Sequence, residues 1–541
     1  MENFWDYSVW GGVNLIAVLL ISLILANVLK KAIRPLQASL IPTSVLGGML
    51  LLVLSAVYKA VAKQELFDTA FFGGNGTTNL EIITYHTLAL GFIATTFKSS
   101  GGKLTKKRTG EIFNTGVTTV STYLMQGILG ILITLIAAMA VPGFFKAADI
   151  LLPFGYGQGT GQALNYGGIF ENEYGFTGGK SFGLSVAALG FLSASLGGVV
   201  YLSILKRKGK ITTALGADKA VRSEEIQGAN EIPMQESMDK MTVQIALVIM
   251  AYLIAFGLMF GLGTLLPGMR SVIFGFNFLL GVLSATLVKT ALRGLRKIRL
   301  VKKEYVNNFL MTRVSNFFFD LMVVAGVAAI RLSVLENYWV ILLIMGVVGL
   351  VSTFIYNHFV AKMLFPEYTE EQFLMMYGML TGTASTGIIL LREMDPDFES
   401  PASDNMVYQN FPAIVFGFPM MLLATLAPKR PWLVFIILIA FFLVMNVILF
   451  RKWVFAFLKT KLSGKFDKLM KVDSGSGGST AEAPASESAG YSWSVQAPDA
   501  AEAKVPLAEQ AEAMAETPET ADIPAEEAPE GPTSEDPQEA P

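Results

Sequence analysis

Two short stretches hold the residues best suited to binding chemistry: Tyr156-Gly157-Gln158-Gly159-Thr160-Gly161 and Tyr377-Gly378-Met379-Leu380-Thr381-Gly382. Both read Y-G-x-x-T-G. Their glycines (Gly157, Gly159, Gly161, Gly378, Gly382) let backbone approach closely and admit positive φ without steric cost. N–H groups at a helix start favour an anionic group, and unwound carbonyls hold a cation. Gln158, Thr160, Asn165, Thr381, Thr383, Ser385 and Thr386 add neutral donors and acceptors. Such groups suit a small polar solute or a hard cation such as Na⁺. Tight helix packing through small residues is the plainer explanation of the glycines. It accounts for Gly47-Gly48 and Gly197-Gly198, which have no polar company, but not for Gln158 and two threonine clusters in paired places.

Ionisable residues inside apolar spans are costly and mark function by default. Asp320, in SNFFFDLMVV, is the only carboxylate well inside such a span, with Asn316 one turn earlier. The two can offer oxygens to Na⁺, or Asp320 can bond a neighbouring helix. Arg331 closes the same span and can snorkel to an interface. Arg392 can pair with a substrate carboxylate, with Glu393 or with a lipid surface. The two histidines, His86 and His358, have no carboxylate cluster beside them, and there is no cysteine. With no nucleophile or metal constellation, an enzyme is not expected. Without G-x-x-x-x-G-K-[ST], neither is an ATP-driven pump. No cofactor and no nucleic-acid partner are expected.

The elements that position these residues are apolar. The chain has 541 residues, 52% of them hydrophobic, with mean hydropathy +0.51. Runs of roughly 17–25 apolar residues span a bilayer as helices. Eleven are visible: Val9–Leu29, Ser44–Ala62, Ile82–Phe97, Val117–Pro142, Gly183–Leu205, Val243–Leu266, Val272–Val288, Val314–Ile330, Tyr338–Val360, Met406–Leu426 and Trp432–Phe450. Lys and Arg accumulate on the cytoplasmic side of such proteins. Basic clusters follow the first, third, fifth, seventh and eleventh spans, for example Lys206, Arg207, Lys208 and Lys210. The N-terminus is therefore expected outside and the C-terminal tail in the cytoplasm.

Five spans precede the linker 206–240, so the second half must enter with opposite orientation, the arithmetic of an inverted repeat. The expected fold is an all-α polytopic membrane protein: an N-terminal repeat over 1–205, the cytoplasmic linker 206–240, and an inverted C-terminal repeat over 241–427. An additional helix and basic segment occupy 428–471. An acidic Ala/Glu/Pro tail over 472–541, with sixteen Asp or Glu against one Lys, is expected to be disordered. The segments 150–170 and 373–391 are too polar and glycine-broken to span. Each is expected to be a re-entrant hairpin, one from each face, with the tips meeting near mid-membrane.

At these residues the chain resembles the bacterial sodium/glutamate symporter family. The likeness lies in IPTSVLGGML (41–50), in the stretch from Tyr156 to Gly198, including Glu173-Tyr174-Gly175-Phe176, and in Tyr377–Gly387. It covers roughly Val9 to Leu426. It implies Na⁺-coupled uptake of glutamate or a related small anionic or zwitterionic solute across the bacterial inner membrane by a homodimer. Gln158 stands where the family has His, and Met379-Leu380 replaces a more glycine-rich phrase, so the machinery carries over better than the substrate. The alternatives are a channel or ligand sensor on the same fold, or a symporter for a different small polar solute.

Overall fold

The computed structural model describes residues 3–98, 105–140, 143–210, 231, 238–336, 338–395 and 399–455. The expected tail 472–541 and most of the linker lie outside them. The described regular structure is helical: α1 Tyr7–Ala32, α2 Arg34–Ala38, α3 Thr43–Ala62, α4 Gly76–Phe97, α5 Lys106–Ala140, α6 Leu151–Tyr174, α7 Gly179–Arg207, α8 Lys240–Leu265 and α9 Arg270–Gly275 come first. Then follow α10 Asn277–Lys297, α11 Asn308–Ala328, α12 Trp339–Leu364, α13 Thr369–Thr381, α14 Ala384–Met394, α15 Ala402–Tyr408, α16 Asn410–Leu426 and α17 Pro431–Leu449.

Among the described residues ten helices are long and apolar enough to cross a membrane, and α15 with α16, bent by 50°, would make an eleventh. The chain is a multi-pass membrane protein. Its apolar side chains face outward as readily as inward. In α1, α8 and α17 only 22% of the apolar window is buried. Val13, Ile24, Leu253, Phe256, Ile436 and Leu443 are all exposed. Water would penalise such a surface, whereas lipid does not. α7 and α11, each 61% buried, form the interior.

Local chemistry sets the helix ends. Asp239 caps α8 by accepting from the Met241 and Thr242 amides. Asn307 caps α11 by accepting from Leu310 N at 2.7 Å. Pro431 opens α17 at its first turn, where no amide donor is needed. Five expected spans differ most from the structure. The third, fourth and eighth begin earlier, at Gly76, Lys106 and Asn308. The seventh is split at Phe276 between α9 and α10. The tenth is split at Gln409 between α15 and α16.

Helices from the two sides of the linker interleave. α11 packs on α3 and α4, α12 and α17 on α5, and α13 on α7. Small residues permit the closest approaches, as their lack of polar company suggests. Gly48 faces Val327 of α11, Gly197 faces the Tyr377 ring, and Gly198 faces Leu390. Within the linker, Glu231 bonds Lys240 Nζ at 2.7 Å and accepts from Asn307 Nδ2 at 2.6 Å. Lys240 is fully buried there.

Candidate functional site: a cavity where two broken helices meet

Both Y-G-x-x-T-G stretches interrupt helix. Gly159 breaks α6 with φ 77° and ψ −169°, a conformation open essentially only to glycine. The Phe154 and Tyr166 rings, on opposite sides of this break, stack with centroids 3.9 Å apart and planes at 18°. A straight helix would separate their Cα atoms by about 18 Å. The two arms of α6 therefore close into a V with Gly159 at its apex. The second break, Gly382-Thr383, joins α13 to α14. There the backbones of the arms touch: a Cβ on Gly378 would lie 2.8 Å from Gly387 Cα.

The two apices meet. A Cβ on Gly159 would stand 3.1 Å from Thr383 Cγ2 and 3.7 Å from Gly382 O. The motif tyrosines anchor the arms alike. Tyr156 OH donates to Gly346 O at 2.7 Å and Tyr377 OH to Ser193 O at 2.7 Å, both rings being fully buried. Gln126 Nε2 donates to Leu380 O at 3.0 Å and to Thr353 Oγ1 at 2.9 Å, holding the carbonyl end of α13.

Beside the meeting point lies a cavity of about 130 Å³. Gly157 and Gln158 enter its wall from α6, and Thr383 and Ala384 from the second break. The rest comes from α4 (Leu88, Phe92, Thr95), α5 (Thr119, Tyr123), α10 (Phe278), α11 (Phe319, Met322) and the α15–α16 bend (Gln409, Asn410). Gln162 and Met379 complete the polar and thioether parts of the lining. Among the described residues that line it, none is ionised. The cavity can hold a solute through neutral hydrogen bonds, backbone amides and aromatic contact.

The expected site residues divide. Gly157, Gln158 and Thr383 line the cavity, and Gly159 and Gly382 form the apices. Thr160 sits behind, its hydroxyl donating to Met322 O at 3.3 Å. Gly161 abuts Leu88. Thr381 donates back to Tyr377 O, and Thr386 faces Thr383 Oγ1 at 3.4 Å. Gly378 seats the α13–α14 arms, and Ser385 is half-buried outside the lining. Asn165 faces a second depression of about 350 Å³, which also holds the Lys180–Glu81 pair at 2.7 Å. It donates to Gly275 O at 2.6 Å. Asn316 and Asp320 lie on an exposed face of α11, while Phe319 and Met322 of the same helix turn into the cavity. Asp320 bonds Ser44 of α3. Arg392 is exposed in the last turn of α14, away from the lining. The structure thus assembles the glycine breaks and leaves the charged candidates outside.

Sequence reasoning missed Gln162, Tyr123, Gln409 and Asn410. Gln409 and Asn410 were legible only as two amides inside an apolar run. They also begin a buried polar ladder. Thr119 Oγ1 donates to Gln409 Oε1 at 3.0 Å. One turn away on α5, Thr115 Oγ1 accepts from Gln372 at 3.0 Å, and Asn405 Nδ2 donates to both Gln372 Oε1 and Tyr368 OH at 3.0 Å. The ladder approaches the Arg108–Glu111 pair near the basic end of α5. No protein-family model and no curated protein matches the chain.

Proposed function

We propose that the protein is a secondary active transporter that couples Na⁺ to the movement of glutamate or a related small amino-acid or carboxylate anion. On this reading α6 and the α13–α14 pair are re-entrant hairpins of two inverted repeats, entering from opposite faces. The N-terminus lies outside, the tail lies in the cytoplasm, and the protein works as a homodimer in a bacterial inner membrane. The observation that carries the reading is the contact of Gly159 with Thr383 at the cavity wall. Glycine-broken helices meeting inside a bundle present free amides and carbonyls to a solute and an ion without exposing them to lipid. No enzyme, cofactor or nucleic-acid role is part of it.

The test is uptake of a labelled panel of amino acids and dicarboxylates into proteoliposomes holding the full chain, with and without an inward Na⁺ gradient. Accumulation that follows the gradient supports symport. Flux that only equilibrates the solute, whatever the gradient, would move the reading to a channel. Binding without flux would move it to a sensor.

A further inference from the structure

The cavity holds a hydrogen-bonding arrangement that the paired motifs do not account for. Gln162 is 1% exposed and lines the cavity, yet its Nε2 has no partner. Its Oε1 accepts from Asn165 Nδ2 at 3.4 Å, which leaves the NH₂ as the unengaged end. A buried donor without an acceptor is costly. Close by, α14 starts at the cavity wall with Thr383 and Ala384. The Thr383 side chain makes no capping bond, and the first helical amide bond is Gly387 N to Thr383 O at 3.0 Å. The amides of the first turn, Ala384 to Thr386, therefore have no helical acceptor, and the positive end of the helix dipole points the same way. Two independent sets of donors serve one space.

The facing wall is different in kind. Phe92 packs against Phe278 at 5.3 Å and edge-on against Phe319 at 5.5 Å, with Met322 beside them. No cationic side chain stands among the described lining residues, so a second carboxylate there would be buried without a partner. The volume of about 130 Å³ is close to that of an engineered cavity of roughly 150 Å³ that takes benzene. That is room for a small solute.

We propose that the site selects a short-chain monocarboxylate, with or without an α-amino group, rather than a dicarboxylate. Gln162 Nε2 and the first-turn amides of α14 bind the carboxylate, and the phenylalanine wall takes the aliphatic chain. This rests on the transporter reading and, among its amino-acid and carboxylate anions, sets glutamate aside in favour of the monocarboxylates.

The experiment pairs uptake with binding on the full-length protein. Alanine, 2-aminobutyrate, propionate and butyrate are compared with glutamate, aspartate and succinate, each under an inward Na⁺ gradient. Thermal shifts with the same compounds are measured in detergent. Monocarboxylates are expected to outcompete dicarboxylates by tenfold or more, and the amino and non-amino arms show which source of the carboxylate is preferred. Gln162→Leu should raise the apparent KM about tenfold, the scale of one hydrogen bond to a charged group. Gln162→Asn, which keeps the amide, should recover part of that loss and serves if the leucine variant misfolds. Equal or better transport of glutamate, or an unchanged KM in a folded Gln162→Leu, overturns the assignment while leaving transport intact. Stabilisation by monocarboxylates alone, without uptake of any compound, upholds the site and overturns the transporter reading. Neither stabilisation nor uptake overturns both.

Discussion

Gly159 and Thr383, 224 positions apart in the sequence, lie so close that a methyl group on the glycine would stand 3.1 Å from Thr383 Cγ2. The glycine also has φ +77°. Gly159→Ala therefore meets two obstacles, a backbone well worth about 1–3 kcal/mol and a crowded neighbour from the opposite break. It should lower the melting temperature and abolish uptake. Gly168→Ala in the same helix, where the new Cβ finds only the Lys180 side chain at 3.6 Å, should do neither. Equal effects of the two substitutions would mean that the apex has no special role.

The absence of cysteine makes the cavity easy to probe. Single cysteines at Gln158 and Met379, both lining residues, should react with small aqueous thiol reagents, and a transported solute with Na⁺ should slow both reactions. Under the proposed topology position 158 is reached more readily from outside and position 379 from the cytoplasm. Reaction rates indifferent to solute at both positions would place the binding site elsewhere.

Asp320 is the carboxylate that sequence reasoning offers to Na⁺, yet it lies on an exposed face of α11 and bonds Ser44. Asp320→Asn keeps the shape and a hydrogen-bonding oxygen. It should leave the Na⁺ concentration for half-maximal uptake within about twofold of the original, below the 1.4 kcal/mol that a tenfold change represents. A shift of tenfold or more would return Asp320 to the ion site.

The buried ladder should behave as one unit. Gln372→Leu removes one hydrogen-bond partner each from Thr115, which keeps its bond to Glu111 O, and Asn405, which keeps its bond to Tyr368, at about 0.5–1.5 kcal/mol for each bond lost. Asn405→Leu removes one partner each from Gln372, which keeps Thr115, and Tyr368. If the bonds at 3.0 Å are coupled, the double substitution destabilises less than the sum of the single ones. Strict additivity in thermal or denaturant melts would show that the members act independently.

Glu370, at the start of α13, holds a pH-dependent tie. Burial pushes its carboxyl up, but the Lys210 ammonium at 2.5 Å and the Tyr201 hydroxyl at 2.7 Å outweigh it, leaving Glu370 below the ordinary carboxylate value. Because the folded value is depressed, the stabilisation is present above the unfolded value and is lost as pH falls through the folded one. Wild type should melt higher than Glu370→Gln near pH 7. The gap should close on acidification below about pH 4, the ordinary carboxylate range. A gap independent of pH would show that the tie is not electrostatic.

Some of this was readable in the residues and some was not. The two breaks were legible because glycine, threonine and glutamine interrupt apolar runs, and few other patterns stop a buried helix. Most spans were legible from length alone. Phe92, Phe278 and Phe319 were not, since a phenylalanine facing a cavity and one facing lipid leave the same trace in a sequence. Gln162 escaped notice because it lies one residue past the paired motif. The bend at Gln409 was hidden inside an unbroken apolar stretch, where only tertiary contacts decide that the helix restarts. Asp320 falls outside the cavity lining for a different reason. Charge inside a span is conspicuous, but a span has two sides, and helical phase about a cavity of unknown position cannot be assigned from one chain.

The interleaving of helices across the linker bears on how the molecule is made. α3, α4, α5 and α7 find their partners in α11, α12, α13 and α17, segments that leave the ribosome only after more than half of the chain has been inserted. The early helices can pack on one another, α6 against α7 and α1 against α3, but their faces toward α11, α12, α13 and α17 stay unfilled until those segments arrive. Gly48, Gly197 and Gly198, whose partners are Val327, Tyr377 and Leu390 respectively, are vacant notches during that interval. Two separately expressed fragments, divided between residues 211 and 230, should consequently find each other and assemble, whereas either fragment alone should keep only its internal contacts and be cut by membrane proteases faster than the pair.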